Sequence, residues 1–348
     1  MNIIISIVTF LIVLFIYLHI YYHIKISNYL EVYDIQNLSK ERLEEICDLR
    51  QPATFNLDVS CFDLLLLENV KKEYGSFDIK IRDTSENTNS EIYLPYILNK
   101  AIVAIKEKRY YSEKNEDFLT ETSLLKILKV NDYFLRPHTL MTTTYDYIIG
   151  TEMSQTPFRY DVCYRNYFVL LEGEALIKLT PPKNKKYLFT HKDYDNFEFR
   201  SPINPWNVQK QYQTNFDKIK CLDITLTKGR VLFIPAYWWY SIQFNSSETV
   251  ILNFKYKTYM NNITLLPDYF KCFLQKQNIK HIIIDTNTAN TNEHNEHNES
   301  NKSNINVSDL NINDSNINDI LNTMKVNDVN AVNAINAVNA VNDVNAII

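Results

Sequence analysis
At 348 residues, with 45% hydrophobic and 22% charged side chains, the composition is that of a globular protein and excludes wholesale disorder or a multi-span transporter. The formal net charge of −5 leaves no basic field to condense on phosphates, which argues against nucleic acid as a partner. Glycine narrows the classes further. The only four are Gly75, Gly150, Gly173 and Gly229, too far apart for a G-x-G-x-x-G, a P-loop or a G-x-S-x-G elbow. Five cysteines without C-x-x-C spacing fit neither a zinc knuckle nor a fully paired disulfide framework, and read as free, mostly buried thiols.

In chain order, the first element is apolar. Thirteen of the sixteen residues from Ile3 to Leu18 are Ile, Leu, Val or Phe, and Tyr17, Tyr21 and Tyr22 form an aromatic edge before Lys25. Insertion of such a run gains about 4–8 kcal/mol at mid-membrane. A cleaved signal peptide is the alternative, but no Lys or Arg precedes the run and no small-x-small site follows it. Residues 1–24 therefore read as an uncleaved single-pass anchor, and Lys25, Lys40, Arg42 and Arg50 behind it place the body on the cytosolic side.

A helical lead-in follows. Ser39 suits an N-cap for a helix over Lys40–Leu49, and a second helix is expected over Cys61–Tyr74, stopped by Gly75. Pro95 suits the first turn of a third helix, whose stripe is Ile97, Leu98, Ala101, Ile102 and Ile105. From about Asp132 the period becomes two. Tyr167–Leu171 and Ala175–Leu179 flank Glu172-Gly173-Glu174 and read as a hairpin, followed by strands over Cys221–Thr227, Arg230–Pro235, Trp239–Phe244 and Val250–Tyr256. Short strands at this spacing predict a jelly roll or barrel over residues 30–275. Residues 285–348 contain twenty Asn and end in a three-residue repeat of Val/Ile, Asn and Ala/Asp, which predicts a disordered low-complexity tail.

Thr156-Pro157-Phe158-Arg159-Tyr160-Asp161, Arg165-Asn166-Tyr167-Phe168, Pro181-Pro182 and above all Gly229-Arg230-Val231-Leu232-Phe233-Ile234-Pro235-Ala236-Tyr237-Trp238-Trp239-Tyr240-Ser241 resemble the Jumonji-C/cupin-like iron and 2-oxoglutarate oxygenases. Arg50-Gln51-Pro52 and Tyr110-Tyr111-Ser112-Glu113 are similar to that family's helical lead-in. The resemblance implies a double-stranded β-helix with helices on one sheet and a pocket between two sheets. Ile203–Asn207 resembles a segment of viral members and is expected over the pocket mouth. Enrichment in Asn, Ile, Lys and Tyr matches coding by an AT-rich genome, such as that of a large DNA virus or a protist.

The resemblance also implies a site. Active members hold Fe(II) with a His-x-Asp and with a His after the Trp-Trp pair. Here those positions read Arg159, Asp161 and Tyr240, or Ser241 in the other register. Arginine has no lone pair to give a metal. The lysine that the asparagine hydroxylases place two residues after the turn glycine reads Ala175, and Lys178 falls on the opposite face. His138, expected on an earlier strand, and His191, in a long loop, lack the His-x-Asp spacing. These substitutions predict no metal, no catalytic residue and no cofactor, with Arg159 and Asp161 ion-paired and Tyr240 as third partner. Trp206, Tyr237, Trp238 and Trp239 either line a pocket or fill the core. The functional expectation is a membrane-anchored, non-catalytic binding or structural protein with a possible protein partner. The alternatives are a divergent oxygenase or hydrolase working through Asp161, Arg159 and Tyr240, with Fe(II) and 2-oxoglutarate if the site is non-standard, and an interaction module whose tail recruits partners.

Overall fold
The apolar N-terminal run forms a single helix, α1 (Asn2–Ile24), whose stretch Ile3–Tyr22 is long and apolar enough to cross a membrane. Its described side chains are exposed except near the last turn, where His19 and Ile20 are half-buried. Arg50 holds that end. Its guanidinium donates to the Tyr22 carbonyl at 2.5 Å and the Lys25 carbonyl at 3.1 Å and lies 4.5 Å from the Tyr22 ring centroid, a cation at a helix C-terminus. The computed structural model describes residues 2–82, 93–108, 110–194 and 196–277. The tail expected over 285–348, with His294 and His297, lies outside the described residues, as does His281.

The lead-in comprises β1 (Tyr33–Ile35), α2 (Lys40–Asp48), β2 (Ala53–Asn56), a 3-10 turn over Ser60–Leu65, α3 (Leu67–Tyr74), β3 (Asp78–Arg82) and β4 (Tyr93–Ile97). It continues with α4 (Leu98–Lys108), β5 (Tyr111–Ser112), α5 (Glu116–Glu121) and α6 (Leu124–Asn131). Ser39 caps α2 by accepting the Arg42 N–H at 3.1 Å, as its position predicts. The helix expected over Cys61–Tyr74 is broken at Leu66, whose extended ψ of 140° separates the 3-10 turn from α3. Pro95 is not in a first helical turn. It sits in β4, the outermost strand of its sheet, where a missing N–H costs no ladder bond, and the helix starts three residues later.

The body consists of β6 (Leu140–Gly150), β7 (Arg159–Tyr160), β8 (Arg165–Glu172), β9 (Glu174–Thr180), β10 (His191–Asp193), β11 (Glu198–Arg200), the short α7 (Gln213–Phe216), β12 (Leu222–Thr227), β13 (Arg230–Pro235), β14 (Trp239–Phe244) and β15 (Thr249–Thr258). Helices α8 (Tyr259–Thr264) and α9 (Leu266–Gln277) follow. Two sheets result, ordered β1-β2-β13-β8-β15-β6-β5-β3-β4 and β10-β11-β7-β14-β9-β12. Helices α2 to α6 cover the outer face of the larger sheet, with Leu43, Val70, Ile102 and Leu128 packed on Tyr147, Tyr167, Phe233 and Phe254. Between the sheets lie Phe168, Leu170, Ile177, Leu232, Ile242, Phe244 and Ile251. Cys47 and Cys163 are buried, with both thiols pushed up to about 11 chiefly by burial, whereas Cys61 is exposed and Cys221 and Cys272 are half-buried.

Gly173 does not close a hairpin. Strand β8 lies in the larger sheet and β9 in the smaller, so the chain crosses between sheets at this glycine, with φ of +78°. The same happens at Gly229 (φ +79°) between β12 and β13, and β14 and β15 alternate in turn. The physical reason is that both flanking strands carry apolar inward faces, and only a crossing lets the two faces meet. A Cβ at Gly173 would lie 2.4 Å from the Glu248 carbonyl oxygen, so Gly173→Ala is expected to destabilise by about 1–3 kcal/mol, read as a lowered midpoint in urea unfolding.

Candidate functional site
The space between the sheets changes character along its length. Inward positions run Leu170, Phe168, Asn166 on β8, Ile251, Asn253, Lys255 on β15 and Phe244, Ile242, Tyr240 on β14, each strand ending polar at the same end of the sandwich. Alternation puts these residues on one face, and neighbouring strands in register stack them side by side. Arg159 of β7 pairs in register with Tyr240, so it faces inward too.

At the polar end, Arg159 meets Glu113 rather than Asp161. Its Nη1 donates to Glu113 Oε1 at 2.8 Å and its Nη2 to Oε2, a two-pronged contact in which both side chains are buried. Arg82 Nη1 lies 3.0 Å from Glu113 Oε1 and 2.8 Å from Glu198 Oε1, Lys114 reaches Glu198 Oε2 at 3.3 Å, and the Tyr111 and Tyr93 hydroxyls donate to Glu113 Oε1 at 2.9 and 3.0 Å. Glu113 and Arg82 belong to the larger sheet's side, Arg159 and Glu198 to the smaller sheet. The four charges therefore tie one sheet to the other.

Asp161 forms a second group beside the first. Its Oδ2 accepts from the Tyr240 hydroxyl at 2.6 Å and from Asn166 Nδ2 at 2.9 Å, and its Oδ1 lies 3.0 Å from Lys255 Nζ. The expected Arg159–Asp161 ion pair is thus replaced by two separate ones, because Lys255 and Glu113 approach from the opposite sheet with better geometry. Tyr240 does bond Asp161 as the third partner. Asp146 also faces this end and accepts the backbone N–H groups of Lys114 and Asn115 at 2.7 and 2.8 Å. Arg82, Lys114, Arg159 and Lys255 balance Glu113, Asp146, Asp161 and Glu198, four charges against four.

Electrostatics follow from this pairing. Burial works against the Glu113 charge, but Arg159, Arg82 and Lys114 outweigh it and hold the carboxyl well below the usual carboxylate range. Asp161 and Glu198 are likewise held low against burial, by Lys255 and Arg159 and by Arg159 and Arg82 respectively. Burial and the neighbouring Asp161 charge raise the Tyr240 phenol, so it is a hydrogen-bond donor at neutral pH, and Lys255 stays protonated because Asp161 offsets its burial.

The remaining expected residues separate by strand parity. Ala175 is fully buried between the sheets at the apolar end, while Lys178 faces outward, 2.8 Å from Asp223. Trp238 joins the inter-sheet core. Trp239, Tyr237 and Trp206 do not line the interior: the first two pack with Phe158, Tyr160 and Phe199 on the outer face of the smaller sheet, and the Trp206 N–H donates to the outward Ser241 Oγ at 2.8 Å. The Ile203–Asn207 loop accordingly lies on that outer face rather than over the polar end. His138 sits in an exposed turn before β6, not on a strand, and His191 begins edge strand β10 rather than lying in a loop.

The cupin-like domain family matches residues 69–262, more than half of the chain and both sheets' central strands. The chain belongs to the cupin-like domain family. Among curated proteins, HSPB1-associated protein 1 of Rattus norvegicus and of Homo sapiens are each 29% identical over 106 residues, 30% of this chain and 22% of the relative. The Danio rerio homolog is 26% identical over 106 residues, 24% of its length, so the chain spans under a quarter of the curated relatives it matches.

The iron that the resemblance brings to such a cupin-like domain does not fit these side chains. Arg159 offers no lone pair, the Tyr240 hydroxyl is spent on Asp161, and both Asp161 oxygens are engaged. No group of three or more His, Cys, Asp or Glu with metal-binding geometry occurs among the described residues. Sequence reasoning missed Glu113, Arg82, Glu198 and Lys255. Lys255 had a local signal, a lysine two positions after Asn253 on the same face of its strand, and Glu113 closed the Tyr110–Glu113 segment quoted for the resemblance.

Glu113→Gln leaves two buried guanidinium groups sharing Glu198 and is expected to destabilise by about 3–5 kcal/mol in chemical denaturation. Asp117→Asn, which removes an exposed partner of Lys80, should change stability by less than about 1 kcal/mol. For pH, Glu113, Asp161 and Glu198 have folded values below their unfolded ones. Their contribution is present above about pH 4 and is lost as the pH falls through the folded values. Asp146, raised chiefly by burial, works with the opposite sign. With three carboxylates against one, urea midpoints should drop from pH 7 to pH 3, and less steeply in Asp161→Asn.

Proposed function
We propose that the chain is a membrane-anchored cupin-like protein that acts by binding rather than by iron and 2-oxoglutarate chemistry. The observation that carries this reading is the two-pronged Arg159–Glu113 contact. It stands at a position that the family resemblance gives to a metal-ligating histidine, and it fills that position with a guanidinium already neutralised from within the fold. Two sheets joined by glycine crossings, with strands alternating between them, support a double-stranded β-helix. Arg159, Asp161, Tyr240 and Ala175 are, on this reading, vestiges of metal and cosubstrate positions. Helix α1 would anchor the chain with its body in the cytosol, supported by its apolar length and by the cations that follow it. The name of the mammalian relatives records an association with another protein, which supports a protein as the partner of this domain.

Purified full-length chain in detergent should show no stoichiometric Fe(II) binding in anaerobic calorimetric titration and should form no succinate from 2-oxoglutarate above a protein-free blank. Stoichiometric Fe(II) uptake with succinate production overturns the reading.

A further inference from the structure
Helix α9 is built the wrong way round for a helix of a soluble domain. Its large apolar residues Leu266, Phe270, Phe273 and Leu274 recur at i, i+4, i+7 and i+8, which defines one face, yet each is between 44% and 60% exposed. The adjoining flank carries contacts to the body, with Tyr269 packed against the smaller sheet's outer cluster and its hydroxyl accepting from Lys257 Nζ of β15 at 3.2 Å. Tyr259 and Ile263 of α8 are also exposed, at 59% and 40%.

Two further observations say what covers this face. The first is its place. Helix α8 packs against α1, and a cavity of 380 Å³ is lined jointly by Leu18, His19 and Tyr22 of α1 and by Thr139, Tyr164 and Thr258, the last being the N-cap of α8. The apolar stripe therefore begins one short helix away from the end of the membrane-crossing segment. The second is charge. Lys271 of α9 flanks the stripe, ion-paired with Asp268 of the same helix at 3.2 Å, and Lys185 and Lys192 stand nearby, three lysines against one carboxylate: the Lys185 ammonium is lowered by burial, then by Lys192 and by Lys271, with Asp268 acting against them. An apolar stripe edged by cations suits a bilayer interface that contains anionic headgroups.

We propose that α9, with the exposed side of α8, is a second membrane contact of this protein, lying in the headgroup region of the anionic leaflet beside α1. The inference rests on the membrane reading of α1. Burying six apolar side chains at the interface, next to an anchor that already removes most of the freedom of approach, would hold the sandwich flat against the lipid rather than swinging from a tether.

The test uses the full chain reconstituted into vesicles of phosphatidylcholine and phosphatidylserine, with or without bromine on the acyl chains. Phe273→Trp adds an indole on the stripe, above the background of the three native tryptophans, and Val130→Trp adds one on exposed α6 as the control. Bromine should quench most of the added emission of Phe273→Trp and none of that of Val130→Trp. Chain that resists carbonate extraction while Phe273→Trp emission stays unquenched overturns the α9 contact and leaves the α1 anchor standing. Chain that carbonate releases and bromine does not quench overturns both. Chain that carbonate releases but whose Phe273→Trp emission was quenched sinks the α1 anchor and so overturns α9 as a second contact beside it. A blue-shifted emission that bromine does not touch means that protein, either the tail or a second copy, covers the face, and it too overturns the lipid contact.

Discussion

The structure depends on one carboxylate. Glu113 sits between Arg82 and Arg159, and through them and Glu198 the two sheets are joined at the end of the sandwich where apolar packing stops. A buried charge of this kind is tolerated only with its partners in place, since an uncompensated ion costs several kcal/mol. The Asp161, Lys255 and Tyr240 group next to it obeys the same constraint. Together they specify how the sheets are set against each other more sharply than the apolar end can, because hydrophobic contact is non-directional and a two-pronged guanidinium contact is not.

The gradient from apolar to polar inside the sandwich was legible in the chain. Reading every second residue of Val250–Tyr256 or of Arg165–Leu171 gives the inward face, and its polar end can be read off as Asn253, Lys255 and Asn166. The Ser39 cap and the stripe of α4 were equally plain, because both are local. The position of Ala175 was readable for the same reason, as was the outward direction of Lys178.

What could not be read was non-local. Nothing near Gly173 tells a hairpin from a crossing, since both need a positive φ and both flank it with apolar residues; the choice is made by β13, β14 and β15 far downstream. Pro95 looked like a helix start because edge and centre of a sheet are not properties of a segment. The partner of Arg159 was missed on the same ground. Asp161, two residues away, is near in sequence, but Glu113, 46 residues earlier, is better aimed. Trp239 and Tyr237 face the other way, as parity counted from Tyr240 would have required, whereas Trp206 reaches the same outer face from a loop that parity does not govern.

The pairing of β2 with β13 carries a consequence for biogenesis. Ala53 lies against Phe233, 180 positions later, so the larger sheet stays open until nearly the whole described body has left the ribosome. Helix α1, by contrast, is complete within the first 24 residues. Its apolar run is therefore finished long before the strands that follow can close, and during that interval the bare edge of β2 is an invitation to mispair. Under the proposed anchoring of α1, early delivery to a membrane would hold each nascent chain apart from its neighbours while the last strands are made.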